Sequence, residues 1–360
     1  MPSQIETQAN RTTVQPPDVC ATASAPKAQR ISALDFTKGA LVLIMVLYHW
    51  INYFIGPQWE YYRYLRFLTP SFIFITGFMI SNIYLSKYDA ADRRLPKRLF
   101  TRGLKLMAVF VVLNVARTFV LPVLGSGVVR INPLTLGNIF TVFVSGNLPV
   151  VGGKLASFTI LVPISYVLMF CGALMLPYRC YKYTFHAVCA LLLLSILILG
   201  IIDAESSYLE LVSIGMLGVL AGFKPISAIN DFVRHPYALA FAYVCYTIAI
   251  SIWNVPFVLQ LIGVPLSVIV IYLVGLSGSE AGRIRREVVL LGKYSLFGYI
   301  SQMAIIQVLS ASLHHLNFGL EVLGTSFFAA FALTIIGVEV VDRARARAIS
   351  VDRLYKAVFA

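Results

Sequence analysis

Three ionisable residues near the start of the apolar part of the chain carry side chains suited to acid–base chemistry: Asp35, Lys38 and His49. Lys38 and His49 are eleven positions apart, which on an α-helix returns to within about 20° of the same direction. Both side chains are therefore predicted on one helix face, roughly 16 Å apart along the axis. Asp35 precedes Lys38 by three residues, a spacing at which the two can form an ion pair.

The helix that carries these residues is the first of about ten apolar segments. Hydrophobic residues make up 59% of the 360 residues and charged residues only 12%. Because about 20 apolar residues span a bilayer, we predict an all-α integral membrane protein with about ten transmembrane helices. The predicted spans are 38–55, 66–85, 104–124, 155–176, 184–202, 207–223, 236–253, 256–276, 291–312 and 322–341.

The charge distribution predicts the orientation of these spans. The net charge is +13, and 24 of the 29 Lys and Arg residues fall on one side if the spans alternate. Under the positive-inside rule, this side is cytoplasmic and holds both the N- and the C-terminus. The basic residues then contact lipid headgroups, and we expect no nucleic-acid partner.

The predicted organisation has three parts. Residues 1–29 are polar and aperiodic and are expected to form a disordered cytoplasmic tail. Residues 30–341 form the membrane domain, and 342–360 form a basic interfacial tail. The five cysteines have no spacing suited to zinc, so we expect small buried residues and no metal.

An ionisable side chain inside a membrane is costly and usually lies in a functional cavity. His49 has one structural alternative, a buried histidine bonded to a neighbouring helix. Arg98 and Arg102 belong to a basic loop that can guide a polyanionic ligand, and the amide of Gln302 needs a partner within its span. Further candidates are Ser71 and Thr76 in the second span and His314 and His315 at the outer end of the ninth.

Three segments carry a resemblance to a known family. The pattern Leu34-Asp35-x-x-Lys38-Gly39-x₉-His49 resembles the first-helix motif of the acyltransferase-3 membrane acyltransferases, with Lys38 where the family has Arg. Their relatives include glucan succinyltransferases and heparan-α-glucosaminide N-acetyltransferase-like proteins. The segment 70–81 is similar to the family's second-helix segment. The segment 291–302 is similar to a late-helix segment in which His commonly replaces Gln302.

The resemblance implies transfer of an acyl group, with acetyl or succinyl expected first, from cytoplasmic acyl-CoA to a carbohydrate or lipid-linked glycan at the outer face. His49 would act as a general base or carry the acyl group transiently, and we expect the general base. The donor phosphates would bind Lys38, oriented by Asp35, together with Arg98 and Arg102. A hydrogen bond to the thioester oxygen would come from Ser71, Thr76 or Gln302, and His314 and His315 would face the acceptor.

The resemblance and the absence of eukaryotic sorting signals indicate a bacterial inner membrane, and self-association is left open. The main rival function is secondary transport of an anion or a lipid-linked intermediate, which a polar first span also allows. Transporters often carry broken helices at matching positions of two halves. The second span has such an interruption at Pro70 and Gly77, and the chain has no convincing second copy of it. A third interpretation is an inactive scaffold.

Overall fold

A computed structural model describes residues 31–56, 59–85, 94–123, 136–147, 156–204, 206–253, 256–277, 282–313 and 319–359. Within these ranges the regular secondary structure is helical, and no β-strand is present. Eight helices are long and apolar enough to cross a bilayer. The predicted class, an all-α membrane protein, is therefore confirmed for the described part of the chain. The predicted tail 1–29 lies outside it.

The long helices follow from runs of Leu, Ile, Val, Ala and Phe, because a helix satisfies its backbone hydrogen bonds internally, as lipid requires. The helices are α1 (Ser32–Trp50), α2 (Trp59–Leu65), α3 (Leu68–Met79), α4 (Arg94–Val123), α5 (Leu136–Phe140), α6 (Leu161–Tyr178), α7 (Thr184–Ile201), α8 (Ser207–Gly222), α9 (Ile226–Val233), α10 (Pro236–Ile252), α11 (Phe257–Ser277), α12 (Arg283–Lys293), α13 (Ser295–Leu313), α14 (Leu320–Arg347) and α15 (Ile349–Phe359). Three of them continue into π-helical turns: α1 into Ile51–Ile55, α3 into Ile80–Leu85 and α5 into Thr141–Ser145.

Eight of the ten predicted spans coincide with helices that can cross a bilayer. The other two are short: α8 has 16 residues and α10 has 17, at the lower limit of what spans a membrane. α8 is followed, after a bend of 95°, by α9, and counting this pair as one crossing gives up to nine candidate spans in the described ranges. The number ten stays a prediction.

Two glycines bring α1 and α12 into backbone contact. A Cβ atom built on Gly39 would lie 1.9 Å from the carbonyl oxygen of Val288, and one built on Gly292 would lie 1.7 Å from that of Asp35. Any side chain at either position would force the helices apart, so only glycine permits this approach. A similar contact joins α3 to α8, where a Cβ on Gly77 would lie 1.9 Å from a carbonyl oxygen of α8.

α1 and α13 run parallel, with their N-terminal ends at the same end of the bundle. A Cβ built on Gly298 near the start of α13 would lie 3.3 Å from Cγ1 of Val42. Further along both segments, Gln307 Nε2 donates a hydrogen bond of 3.2 Å to Tyr53 Oη. We call the end at which α1 begins the Lys38 end and the opposite end the Tyr53 end.

The predicted tail 342–360 comprises the last turns of α14 and the whole of α15. Arg345 donates to Asp352 Oδ1 through Nε at 3.0 Å and through Nη2 at 2.6 Å. Its Nη1 donates to Tyr294 Oη at 3.1 Å, so one guanidinium joins α15 to the turn between α12 and α13. Hydrogen bonds from Lys356 and Arg345 hold the pKa of Asp352 below its ordinary value, so this carboxylate is charged at neutral pH.

Replacing Gly292 by Ala should push α1 away from α12, because the added methyl group meets a backbone atom that cannot turn aside. We expect Gly292→Ala to lower the free energy of unfolding by about 2–3 kcal/mol. Gly337 in α14 provides a matched control, since a Cβ built there meets nothing within 4 Å. Gly337→Ala should change stability by less than about 1 kcal/mol, with Ala favoured. The measurement is thermal unfolding of each purified variant in detergent, and equal stability of the two would contradict the close contact.

Candidate functional site

The predicted ion pair of the first helix is present and buried. Lys38 Nζ lies 2.6 Å from Asp35 Oδ1, and the two side chains are only 13% and 12% exposed. The two residues lie three positions apart, about one turn from the beginning of α1. The glycine contact holds α12 against the same turn. Because a buried charge is strongly disfavoured alone, the pairing offsets part of the cost of burying both side chains.

His49 lies on the same face of α1, three helical turns further into the bundle. It is half-buried, and its ring centroid is 5.0 Å from that of Tyr48. The helix changes to π-helical hydrogen bonding directly after Trp50, with Gly56 N–H donating to the carbonyl of Ile51 at 3.1 Å. Such π-helical turns occur frequently at functional sites, and this one follows the histidine at once.

Gln302 carries the least satisfied side chain of the predicted site. It is completely buried in α13, and neither its Nε2 nor its Oε1 has a hydrogen-bond partner among the described residues. The parallel register of α1 and α13 places Gln302 within about one helical turn of the depth of His49. Since a buried amide without partners is unfavourable, this side chain offers one donor and one acceptor to a molecule bound beside it.

A polar network follows at the Tyr53 end, and sequence reasoning missed it. Gln307 Nε2 donates to Tyr53 Oη at 3.2 Å and to Ser157 Oγ at 3.1 Å. Ser157 N–H in turn donates to Asn114 Oδ1 at 2.8 Å. Arg117 follows Asn114 by three residues on α4, which is about one helical turn. The available sequence signal was an arginine inside the predicted third span.

A cavity of about 910 Å³ opens at the Tyr53 end, between α2, the end of α7 and the beginnings of α8 and α11. Tyr62 lines this cavity, and its ring centroid lies 5.8 Å from that of Tyr48. Tyr48 lies beside His49, so a chain of two ring contacts connects the cavity lining to the imidazole. Charged residues of both signs line it: Glu60, Arg63, Arg66 and Glu210.

The structure places Arg98 and Arg102 together at the beginning of α4, which is the Lys38 end. Both guanidinium carbons lie 5.9 Å from the ring centroid of Tyr84, and Arg102 Nη1 also donates to the Tyr84 hydroxyl. Arg98 is exposed and Arg102 is half-buried, so both can reach a charged ligand in water. Their role stays a prediction.

Ser71 and Thr76, the two predicted hydroxyl donors, bond to their own helix. Ser71 Oγ donates to the carbonyl of Phe67 at 2.7 Å, and Thr76 Oγ1 donates to that of Phe72 at 2.8 Å. A hydroxyl has one proton, so each would have to give up this bond in order to stabilise an oxyanion. Gln302 is therefore the better donor of the three.

His314 and His315 lie outside the described residues. Within the described ranges, no three His, Cys, Asp or Glu side chains are grouped closely enough to hold a metal ion. Comparison of the chain with models of known protein families, with curated proteins and with solved structures finds no match. The arrangement of these side chains is therefore the only basis for assigning a function.

Breaking the buried ion pair should lower the free energy of unfolding far more than breaking an exposed pair of the same spacing. We expect Lys38→Met to lower the free energy of unfolding by about 3 kcal/mol, because it leaves the Asp35 carboxylate buried alone. The matched control is Arg234, which pairs with Asp231 at 3.3 Å with side chains 79% and 64% exposed. Arg234→Met should lower stability by less than about 1 kcal/mol.

The double variant Asp35→Leu/Lys38→Met completes this test. Removing both charges should restore most of the stability that Lys38→Met loses, since no unpaired charge remains. Thermal unfolding in detergent measures all four proteins. If Lys38→Met and the double variant are equally unstable, pairing of the two charges is not what stabilises the first turn of α1.

Gln302→Leu should make the protein more stable, by about 1–2 kcal/mol, because it removes two buried polar atoms that have no partners. Gln307→Leu is the matched control on the same helix and should destabilise the protein, since it leaves Tyr53 and Ser157 without their donor. Both are measured by thermal unfolding. A loss of stability in Gln302→Leu equal to that in Gln307→Leu would show that the amide is already satisfied.

Proposed function

We propose that this chain is a membrane-embedded acyltransferase, similar to the acyltransferase-3 proteins, in a bacterial inner membrane. The proposal includes about ten transmembrane helices with both termini in the cytoplasm. One observation carries it: a single helix face holds a buried lysine–aspartate pair and, three turns further, a histidine. At about the same depth lies Gln302, whose amide has no hydrogen-bond partner among the described residues. A basic anchor, a base and a hydrogen-bond donor are the groups that acyl transfer from a thioester requires.

The donor is acyl-CoA, and it approaches from the Lys38 end. Its phosphates bind Lys38, Arg98 and Arg102, which are three of the basic residues at that end of the bundle. The long thin arm then extends along α1 over the roughly 16 Å that separate Lys38 from His49. Lysine binds phosphate as a point charge and lacks the forked geometry of arginine. Asp35 therefore matters, because it fixes the position of the Lys38 ammonium.

The acceptor is a carbohydrate or lipid-linked glycan, and it approaches through the cavity at the Tyr53 end. Tyr62 lines that cavity and contacts Tyr48, which lies against His49. An acceptor hydroxyl that displaces or passes these two rings would come within reach of the imidazole. Donor and acceptor would then meet at His49 from opposite ends of the bundle.

His49 acts as the general base in the proposed reaction. The imidazole takes the proton of the acceptor hydroxyl while the hydroxyl oxygen attacks the carbonyl carbon of the thioester. Gln302 Nε2 donates a hydrogen bond to the carbonyl oxygen as negative charge develops there. The carbon–sulfur bond then breaks, and the proton held by His49 passes to the departing thiolate, which restores the neutral imidazole.

Replacing His49 tests this proposal directly. In purified protein supplied with acyl-CoA and a glucan acceptor, His49→Gln and His49→Ala should slow CoA release at least about 100-fold while unfolding temperatures stay close to wild type. His235→Gln is the matched control, because His235 is exposed at the beginning of α10. Rates of CoA release are followed with a thiol reagent.

Three outcomes would contradict parts of the proposal. Full activity of His49→Gln would remove the histidine from the reaction. An acyl group found on His49 by mass spectrometry would replace the general-base role by a covalent one. Solute uptake into vesicles without any consumption of acyl-CoA would favour the rival function, secondary transport.

A further inference from the structure

The cavity at the Tyr53 end has an apolar wall that borders the bilayer. This wall is the last turns of α7, where the side chain of Leu197 is 56% exposed and that of Ile201 is 82% exposed. A Cβ built on Gly200, which also lines the cavity, would meet nothing within 4 Å. Because α7 is a candidate membrane span, these exposed side chains face the hydrocarbon of the lipids.

The opposite wall is charged and belongs to α2. The exposed tyrosines of this helix, Tyr61, Tyr62 and Tyr64, are typical of the aromatic belt that lies at the level of the lipid headgroups. Glu60 and Arg63 of the same helix line the cavity. The cavity therefore extends from a charged wall at headgroup level to an apolar wall beside the lipid tails, as the polar and apolar parts of a phospholipid do.

Arg63 is fixed in position and keeps hydrogen-bond donors for a ligand. Its Nε donates to the carbonyl oxygen of Glu60 at 3.1 Å, and its Nη1 donates to that of Ser251, near the end of α10, at 3.0 Å. A guanidinium has five N–H donors, so three remain. None of the ion pairs among the described residues includes Arg63. Its charge is therefore suited to a phosphate group.

Glu60 supplies the opposite charge one helical turn away. It is exposed and belongs to none of the ion pairs in the described ranges. Residues three apart on a helix have Cβ atoms about 5–6 Å apart. The phosphorus and nitrogen atoms of a phosphoethanolamine group are separated by four bonds and lie about 5 Å apart. Arg66 and Glu210 add one charge of each sign, so the charges of the described lining residues sum to zero.

We infer that this cavity binds a membrane glycerophospholipid with a zwitterionic headgroup of the phosphoethanolamine type. Arg63 binds the phosphate, Glu60 binds the ammonium group, and the first carbons of the tails lie against the end of α7. The volume of about 910 Å³ is near the upper end of the range for small-molecule sites, which leaves room for the headgroup and the upper part of the tails.

This inference does not rest on the proposed function, because binding of the lipid requires neither acyl-CoA nor His49. An acceptor that entered the same cavity would displace the lipid. Lipid binding is therefore measured without donor or acceptor.

The test compares two lipids with the same tails, dioleoyl phosphatidylethanolamine and dioleoyl phosphatidylglycerol. Delipidated protein in detergent is titrated with each lipid, and bound lipid is counted by native mass spectrometry. Wild-type protein should bind the zwitterionic lipid about 3- to 10-fold more tightly. Glu60→Gln should bring the ratio of the two Kd values close to one. Arg63→Gln should weaken both lipids by a similar factor, and Arg63→Lys should keep part of the affinity. Arg234→Gln, on an exposed arginine outside the cavity lining, should keep the wild-type values.

A second comparison distinguishes a lipid from a soluble molecule with the same headgroup. Glycerophosphoethanolamine lacks the tails and should bind at least about 10-fold more weakly than the lipid. Ile201→Ser should weaken binding of the lipid and leave binding of glycerophosphoethanolamine unchanged. Ile198→Ser is the matched control, because Ile198 is 51% exposed on the same helix and does not line the cavity.

Three results would overturn the inference. Equal Kd values of the two lipids for wild-type protein would show that the headgroup is not read as a zwitterion. Equal affinities for the lipid and for glycerophosphoethanolamine would assign the cavity to a soluble ligand. A wild-type lipid preference in Glu60→Gln would place the lipid elsewhere on the protein. If the lipid binds as expected and no acyl-CoA is consumed, the proposed function fails and this inference stands.

Discussion

The backbone contact between α1 and α12 is the constraint on which the rest of the candidate site depends. Gly39 and Gly292 let the two helices approach until carbonyl oxygens occupy the space of missing side chains. That approach buries the first turn of α1 and with it the Asp35–Lys38 pair. It also fixes where α13 begins, because the turn after α12 is short. The depth of Gln302 relative to His49 therefore follows from two glycines.

Polar groups along α1 and α13 change in character from one end of the bundle to the other. At the Lys38 end Asp35 and Lys38 form an ion pair, and at the Tyr53 end a hydrogen-bonded network connects four parts of the chain. Between them lies Gln302, whose amide has no partner in the described residues. Stability alone would favour an apolar residue there. An amide that has no hydrogen-bond partner among the described residues, between an ion pair and a hydrogen-bonded network, can bind a polar ligand.

The sequence predicted the helical class, the ion pair and the shared face of Lys38 and His49, because these depend on composition and on helical spacing. It did not predict that Ser71 and Thr76 bond to their own helix or that Gln307 donates to Tyr53. Such contacts depend on how helices far apart in the chain pack together, which no local pattern records. The short helices α8 and α10 illustrate a further limit. Hydrophobic length alone does not distinguish a helix that crosses the membrane from one member of a bent helix pair.

In the proposed reaction, the packing around His49 decides whether the thioester reacts with the acceptor or with water. Water reaching His49 would compete with the acceptor hydroxyl and would hydrolyse the donor. At the Tyr53 end, ring contacts connect the cavity through Tyr62 and Tyr48 to the imidazole. An acceptor that displaces these rings would admit its own hydroxyl and exclude water in the same step, so acceptor binding would couple directly to chemistry.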